Sequence, residues 1–339
     1  MLYWYRFSVN WLLSLTGLAL VFGQNPAFAA TTDALSLQRR IPLGNVAGRI
    51  DHLAVDLAHH RVFVAELGNN SVGVVGVAEG KVVHRIFGLK KPQGVGYVPS
   101  TDTIYVANGG DGTVHRYRGS DFSWLSTLKL GDDADNVRLD SRTNQLIVGY
   151  GGGALALIDV ASGRKAVEIR LPGHPESFQL ETNGSRIFAN VPDAQQIAVV
   201  DRSTEKQIAN WAVPDARSNF PMALDDAGQR LLVVYRKPAL LAAFDTRNGN
   251  VVARLPTCGD ADDLFYDAKR QRIYISCGEG VLTVVQRQGD TYQELGRIPT
   301  VTGARTSLWV PELDQLFLAA PASSHERAAL WVYRPAAEP

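Results

Sequence analysis

The chain contains little cysteine and no excess of charge of either sign. Cys258 and Cys277 are the only cysteines in 339 residues, and 34 basic side chains balance 34 acidic ones. Without a Cys-x-x-Cys-His run, c-type haem attachment is excluded, and no zinc-type cysteine spacing exists. The charge balance supplies no broad positive field, so no nucleic-acid partner is expected. The two cysteines either pair as a disulfide or stay separate as small buried thiols.

Hydrophobic runs long enough to cross a membrane are also absent. The run Trp11–Phe22 is shorter than the roughly 20 residues that a spanning helix needs. It follows Arg6 and precedes Ala27-Phe28-Ala29, which is the order of a secretory signal peptide with cleavage after Ala29. We therefore predict a signal peptide over residues 1–29, a periplasmic or secreted protein, and no stable membrane insertion.

Short apolar runs, by contrast, fill the chain. Residues 92–130 divide into four such runs, each of strand length and bounded by turn-forming residues. A meander of this size cannot bury its own faces, so it needs neighbours of the same shape. The end of the first strand recurs at intervals of 41 to 44 residues, close to the roughly 40–45 residues of a propeller blade. These recurring positions are Asp56, Pro99, Asp140, Glu181, Asp225, Asp267 and Pro311.

The seventh repeat lacks a fourth strand. It ends near Tyr333 after three strands, whereas a further strand-like run, Leu35–Leu43, precedes the first repeat. An N-terminal strand that completes the last blade closes the ring and removes an exposed edge. The sequence therefore predicts an all-β, seven-bladed β-propeller of four-stranded antiparallel blades, closed by its N-terminal strand. We expect a monomer with one domain over residues 30–339, the blades running from about 50 to 335.

At Tyr105-Val106-Ala107-Asn108 the chain resembles the YVTN-repeat (YncE-like) family of secreted bacterial seven-bladed β-propellers. Related forms of this motif occur at residues 62–65 and 273–276, and turns with Asp and Gly accompany them. The resemblance extends over residues 35–335. It implies the propeller fold and secretion, but no particular activity, because one fold supports many functions.

The candidate site lies in the loops that join one blade to the next. In a propeller these loops meet on one face, over the central channel, together with the loops between second and third strands. Here they are more charged and more varied than the repeat itself requires. Polar groups converging on a cavity suit a small polar ligand. The predicted ligand-binding residues are Arg49, Asp51, His52, Asp135, Asn136, His174, Glu176, Asn219, Asp262, Asp263 and Arg305.

Two functions fit this channel mouth. The first is a non-catalytic periplasmic propeller that binds a small polar molecule, a metal ion or a protein partner. The alternative is a divalent-metal-dependent hydrolase of the lactonase or esterase type, in which the ion polarises a carbonyl and activates water. Ligands from different blades, mostly oxygen atoms, would suit Ca²⁺. The residues predicted for that metal are Asn136, Glu176, Asn219 and Asp263.

Other features restrict both functions. Clustered carboxylates are also satisfied by arginines, so pairing with Arg49 and Arg305 is the alternative to a metal. His52 and His174 belong to blades one and four, which predicts hydrogen bonding at the rim rather than one compact catalytic group. No Gly-x-Ser-x-Gly elbow supplies a nucleophile, and no catalytic residue is assigned. Trp309 is the one tryptophan predicted on an inner strand, so no pyrroloquinoline quinone is expected.

Overall fold

The computed structural model describes residues 1–4 and 34–336. The predicted signal peptide lies outside the described residues, except for its first four. Within residues 34–336, 28 strands form seven separate four-stranded sheets. Each sheet is an antiparallel blade of one ring, which confirms the predicted all-β, seven-bladed propeller. In the two described ranges, no helix has the length and apolar character needed to cross a membrane.

The strands follow the predicted repeat. Strand β1 spans Leu35–Pro42. Blades one to three comprise β2 (Leu53–Asp56), β3 (Arg61–Glu66), β4 (Ser71–Gly76), β5 (Lys81–Ile86); β6 (Pro92–Val98), β7 (Thr103–Asn108), β8 (Thr113–Arg118), β9 (Trp124–Lys129); and β10 (Ala134–Asp140), β11 (Gln145–Tyr150), β12 (Ala154–Asp159), β13 (Arg164–Arg170). Blades four and five comprise β14 (Phe178–Leu180), β15 (Arg186–Val191), β16 (Gln196–Asp201), β17 (Lys206–Trp211); and β18 (Arg217–Asp225), β19 (Arg230–Lys237), β20 (Ala239–Asp245), β21 (Val251–Pro256). Blades six and seven comprise β22 (Ala261–Asp267), β23 (Arg272–Cys277), β24 (Val281–Gln288), β25 (Thr291–Pro299); and β26 (Thr306–Val310), β27 (Gln315–Ala320), β28 (Ala329–Pro335).

Strand β1 completes the seventh blade. The sheet order is β1-β28-β27-β26, and β1 pairs antiparallel with β28 beginning at Leu35 opposite Pro335. The two ends of the described ring therefore close it, as predicted, and the edge of β28 is covered. Leu43, which was predicted to end the strand, follows it directly and is buried.

Packing between neighbouring blades forms the core. The middle strands are apolar on both faces because each sheet lies between two others. In β3, Val62 and Val64 on one face and Phe63 and Ala65 on the other are all completely buried. At the seam of the seventh and first blades these two valines pack with Ile41 of β1 and Leu330 of β28. Outermost strands such as β17 are mostly exposed, because they lie at the rim of the ring.

Buried acidic residues end the first strands on the face opposite the blade-joining loops. In five blades this acid forms an ion pair with an arginine of its own or the next blade, and charges that are paired in this way are tolerated in a protein interior. The pairs are Asp56–Arg61, Asp140–Arg202, Glu181–Arg186, Asp225–Arg287 and Asp267–Arg270. This face therefore needs no ligand to neutralise its acids.

A disulfide joins blades five and six. Cys258, which follows β21, is bonded to Cys277 at the end of β23, and their Cα atoms lie 6.0 Å apart. Both cysteines are buried. Of the two arrangements open from the sequence, the structure contains the disulfide. It anchors the start of the loop that carries Asp260 into β22.

The closing strand gives a testable prediction. We expect Ile41→Ala to lower the free energy of unfolding by about 2–4 kcal/mol, because it leaves a cavity in the seam between the last and first blades. Gln38→Ala, at an exposed position of the same strand, should change stability by no more than about 0.5 kcal/mol. Urea denaturation followed by circular dichroism measures both variants. Equal effects would show that β1 does not close the ring.

Candidate functional site

The blade-joining loops surround a polar cavity at one mouth of the channel. Its volume is about 210 Å³, and every blade contributes at least one lining residue. The lining comprises Arg49, Gln93, Asp133, Asp135, His174, Glu176, Phe220, Arg236, Asp262 and Arg305. Nine of these ten side chains are charged or polar, so the cavity suits a polar ligand rather than an apolar one.

Irregular strand pairing brings several of these side chains to the mouth. The register between first and second strands shifts at Gln93, Asp135, Phe220 and Asp262, in blades two, three, five and six. Such bulges add a residue to one strand and redirect its side chain. All four residues line the cavity. The bulges therefore convert the start of a structural strand into part of the site.

One half of the mouth is built around the Asp262 carboxylate. Arg236 Nη2 lies 2.6 Å from Asp262 Oδ1, while Arg305 Nε and Arg49 Nη2 lie 3.1 and 3.5 Å from Oδ2. The Arg236 guanidinium also stacks over Phe220, 3.7 Å from the ring centre. Asp260 forms further ion pairs with Arg236 and Arg305. We call Arg49, Arg236 and Arg305 the arginine side of the mouth.

The other half contains Asp135, His174 and Glu176, which we call the acidic side. One ligand-type atom from each of the three lies within 4.8 Å of the others. His174 Nδ1 lies 2.8 Å from the Gly151 carbonyl oxygen and donates to it, so Nε2 faces Asp135 Oδ2 at 3.8 Å. Burial raises the pKa of Glu176 to about 7, and the nearby Asp135 charge adds to the effect. Burial opposes a charge on the His174 ring, but Asp135 outweighs it and raises the pKa of His174 to about 9. The acidic side therefore holds two carboxylates around one imidazole that they keep protonated.

His52 lies beneath the mouth between three carboxylates. Its Nδ1 is 3.4 Å from Asp263 Oδ1, and its Nε2 is 3.9 Å from an oxygen of both Asp51 and Asp135. Burial opposes a charge on the ring, but Asp263 and the other carboxylates outweigh it and raise the pKa of His52 to about 10.

The Asn136 amide, by contrast, favours the unprotonated form of His52. Its Nδ2 lies 3.0 Å from His52 Nε2 and also donates to the Glu176 carbonyl oxygen at 2.9 Å. An N–H can donate to His52 Nε2 only when that nitrogen is unprotonated. Protonation of His52 therefore requires Asn136 to turn its amide and give up the bond to Glu176. The two residues form one hydrogen-bonding unit under the cavity.

Most of the predicted site residues meet at this mouth. Arg49, Asp135, His174, Glu176, Asp262 and Arg305 line the cavity, and Asp51, His52, Asn136 and Asp263 lie next to or beneath them. Asn219 is instead turned into the seam between blades four and five, where it donates to Asn190 and Gln196. Asp263 is engaged as well, because it accepts a hydrogen bond from the Ser307 N–H. Two of the four residues predicted for a metal, Asn219 and Asp263, are therefore held by other hydrogen bonds.

The two histidines lie close to one carboxylate. His52 and His174 come from blades one and four, yet each lies within 4 Å of an oxygen of Asp135. Asp135 projects between them because it sits on a bulge. Four residues that line the cavity are not among the predicted site residues: Gln93, Asp133, Phe220 and Arg236. Arg236 lies near the end of β19, the second strand of its blade. Because the loops after second strands open on the same face as the blade-joining loops, this position could have predicted that Arg236 belongs to the site.

Fold and site together define a seven-bladed β-propeller with a charged channel mouth. No family model matches the chain. It is 23% identical over 184 residues to the protein called "Uncharacterized protein YncE" in Salmonella typhimurium, and equally to its counterpart in Salmonella typhi. The match covers 52% of this chain and spans about half (51%) of each relative. Together with the seven-bladed ring, this weak homology supports the resemblance to YncE-like β-propellers that the sequence predicted.

Solved structures share the fold at low sequence identity. A chain of Kuenenia stuttgartiensis hydrazine synthase superposes with a TM-score of 0.73 at 16% identity, covering 84% of this chain and 96% of its own. A chain of a mitotic checkpoint complex gives 0.75 at 14% identity, covering 94% and 99%. At these identities the likeness shows the fold alone.

The buried Glu176 gives a prediction for chelator-treated protein. Its pKa rises from 4.5 to about 7 on folding, so its ionisation costs stability as the pH rises through that interval, and the cost persists above it. Glu176→Gln should match the wild type near pH 4 and be more stable above pH 7 by roughly 2–3 kcal/mol. Urea denaturation across this pH range measures the difference. The control is Glu312→Gln, at an exposed position away from the mouth. A difference independent of pH would contradict the prediction.

Proposed function

We propose that the protein is a non-catalytic propeller of the periplasm or extracellular space that binds a small polar ligand at the channel mouth. The proposal rests on one observation: a single cavity of about 210 Å³ has an arginine side and an acidic side. Ligand pockets for drug-sized molecules measure roughly 300–1,000 Å³, so the expected ligand is small. The disulfide supports an oxidising compartment.

The arginine side suits an anionic group. The Arg49 side chain is 42% exposed and that of Arg305 is 22% exposed, so both retain N–H groups that face solvent although they pair with Asp262. Carboxylates and phosphates accept such charge-assisted hydrogen bonds, often two from one guanidinium. The acidic side, in turn, suits a cationic centre. A ligand with both charges, or an anion that accompanies a cation, would use the whole cavity.

Support for the hydrolase alternative is weaker. The ligand set predicted for it includes Asn219, which is held in the seam between blades four and five. Asp263, another member of that set, accepts a hydrogen bond from the Ser307 N–H. We also propose that the protein is a monomer, because β1 covers the edge at which the ring would otherwise stay open.

Thermal-shift and calorimetric titrations test the proposal. The probes are glutamate, citrate and inorganic phosphate, each added to the full mature protein in the presence of chelator. At least one should raise the melting temperature of the wild type. Arg305→Gln should weaken that compound by about tenfold or more, since a hydrogen bond to a charged group contributes about 1.5–3 kcal/mol.

The matched control is Arg118→Gln, which removes an arginine that is half exposed and pairs with Asp121 outside the mouth. This variant should bind the compound as the wild type does. The proposal fails if none of the three probes stabilises the protein, or if Arg305→Gln and Arg118→Gln bind equally well.

A further inference from the structure

We propose that Asp135, His174 and Glu176 form a binding site for one divalent transition-metal ion, with Zn²⁺ as the best match. The inference deepens the proposed function and rests on it, because the three residues are the acidic side of the same cavity. Of the four residues predicted from the sequence to hold a metal, it retains Glu176 alone.

The geometry suits a single small ion. One nitrogen or oxygen from each residue lies within 4.8 Å of the other two. Zinc binds imidazole nitrogen and carboxylate oxygen at about 2.0–2.2 Å, so tetrahedral ligand atoms lie about 3.3 Å apart. The 3.8 Å between His174 Nε2 and Asp135 Oδ2 is too long for a hydrogen bond and close to that spacing.

The orientation of His174 is that of a metal ligand. Its Nδ1 donates to the Gly151 carbonyl oxygen at 2.8 Å. In metal centres, the second ring N–H of a ligating histidine is commonly held in this way by a backbone carbonyl, which directs the other nitrogen to the ion. Here that other nitrogen, Nε2, faces Asp135. The backbone of the loop after β11 therefore fixes the orientation of the His174 ring, independently of the acidic residues.

The carboxylates supply a second, independent observation. The Asp135 side chain is 91% buried, since 9% is exposed. Its Oδ2 faces His174, and its Oδ1, which lies 3.9 Å from His52 Nε2, has no hydrogen-bond partner among the described residues. A buried polar atom without a partner is costly. The Glu176 side chain is also largely buried. Within the described chain its carboxylate accepts no hydrogen bond and forms no ion pair. The hydrogen bonds of this residue are made by its backbone, which accepts from Asn136 and donates to Asn190. A cation between the two would satisfy both.

The ligand types favour zinc over calcium. Ca²⁺ takes six to eight oxygen ligands, whereas this group offers one imidazole and two carboxylates. Three protein ligands leave a coordination position open, as in zinc sites that accept a further ligand. The three residues line the same cavity as Arg49, Arg236 and Arg305. A small carboxylate anion would then reach the ion and the arginines together.

Calorimetric titration of chelator-stripped full-length mature protein with zinc sulfate tests the site. We expect one Zn²⁺ per chain, and a loss of affinity of about 100-fold or more in His174→Ala, Asp135→Asn and Glu176→Gln. Cobalt(II) in place of zinc should give the visible spectrum of a four- or five-coordinate ion. His325→Ala, in an exposed loop, is the matched control and should bind as the wild type does.

Three results would overturn the inference: no zinc binding by the wild type, unchanged affinity in the folded variants, or displacement of zinc by equimolar calcium. Circular dichroism checks folding, and Glu176→Gln, the mildest change, decides the matter if another variant does not fold. Because zinc is tested alone and the organic probes are tested with chelator, either proposal can fail without the other. An ordinary His174–Asp135 ion pair predicts no zinc binding.

Discussion

The burial of both faces of every blade is the constraint on which this structure depends. A four-stranded sheet with two apolar faces is stable only between two similar sheets, so no blade has a place outside a closed ring. Closure is achieved when β1 pairs with β28, and Ile41 then packs across the last seam. The same closure sets seven first strands around one channel. Residues far apart in the sequence, such as Arg49 and Arg305, meet there for that reason.

The two ends of these first strands have different electrostatics. At the far end, acids such as Asp140 and Asp225 meet arginines of the next blade and are fully paired. At the mouth, three arginines surround the single carboxylate of Asp262. Asp135, by contrast, has one carboxylate oxygen with no hydrogen-bond partner among the described residues. Uneven pairing is expensive for folding but useful for binding, because an incoming ligand restores the balance. The contrast arises within one set of strands and leaves the uneven charge pairing at one end of them.

The sequence predicted the fold well because a blade repeat is a long-range pattern that seven units report together. It also placed the loops of the site, since blade-joining segments must lie on one face. It did not show which way individual side chains turn. Asn219 lies near the start of the first strand of its blade, as Asn136 does, yet it bonds within a blade seam. A bulge shifts the alternation of a strand by one residue, and nothing in the local composition around Asp135 or Phe220 marks that shift.

The disulfide has a consequence for the charged mouth. Cys258 comes two residues before Asp260 and four before Asp262, the two acids that organise the arginine side. The two blades are otherwise held by hydrogen-bonded ladders within each sheet and by apolar packing between the sheets. The disulfide adds a covalent link between them directly before the backbone that presents the two acids. The ring is therefore crosslinked beside the arginine side, and the backbone positions of Asp260 and Asp262 are set partly by a covalent bond rather than by packing alone.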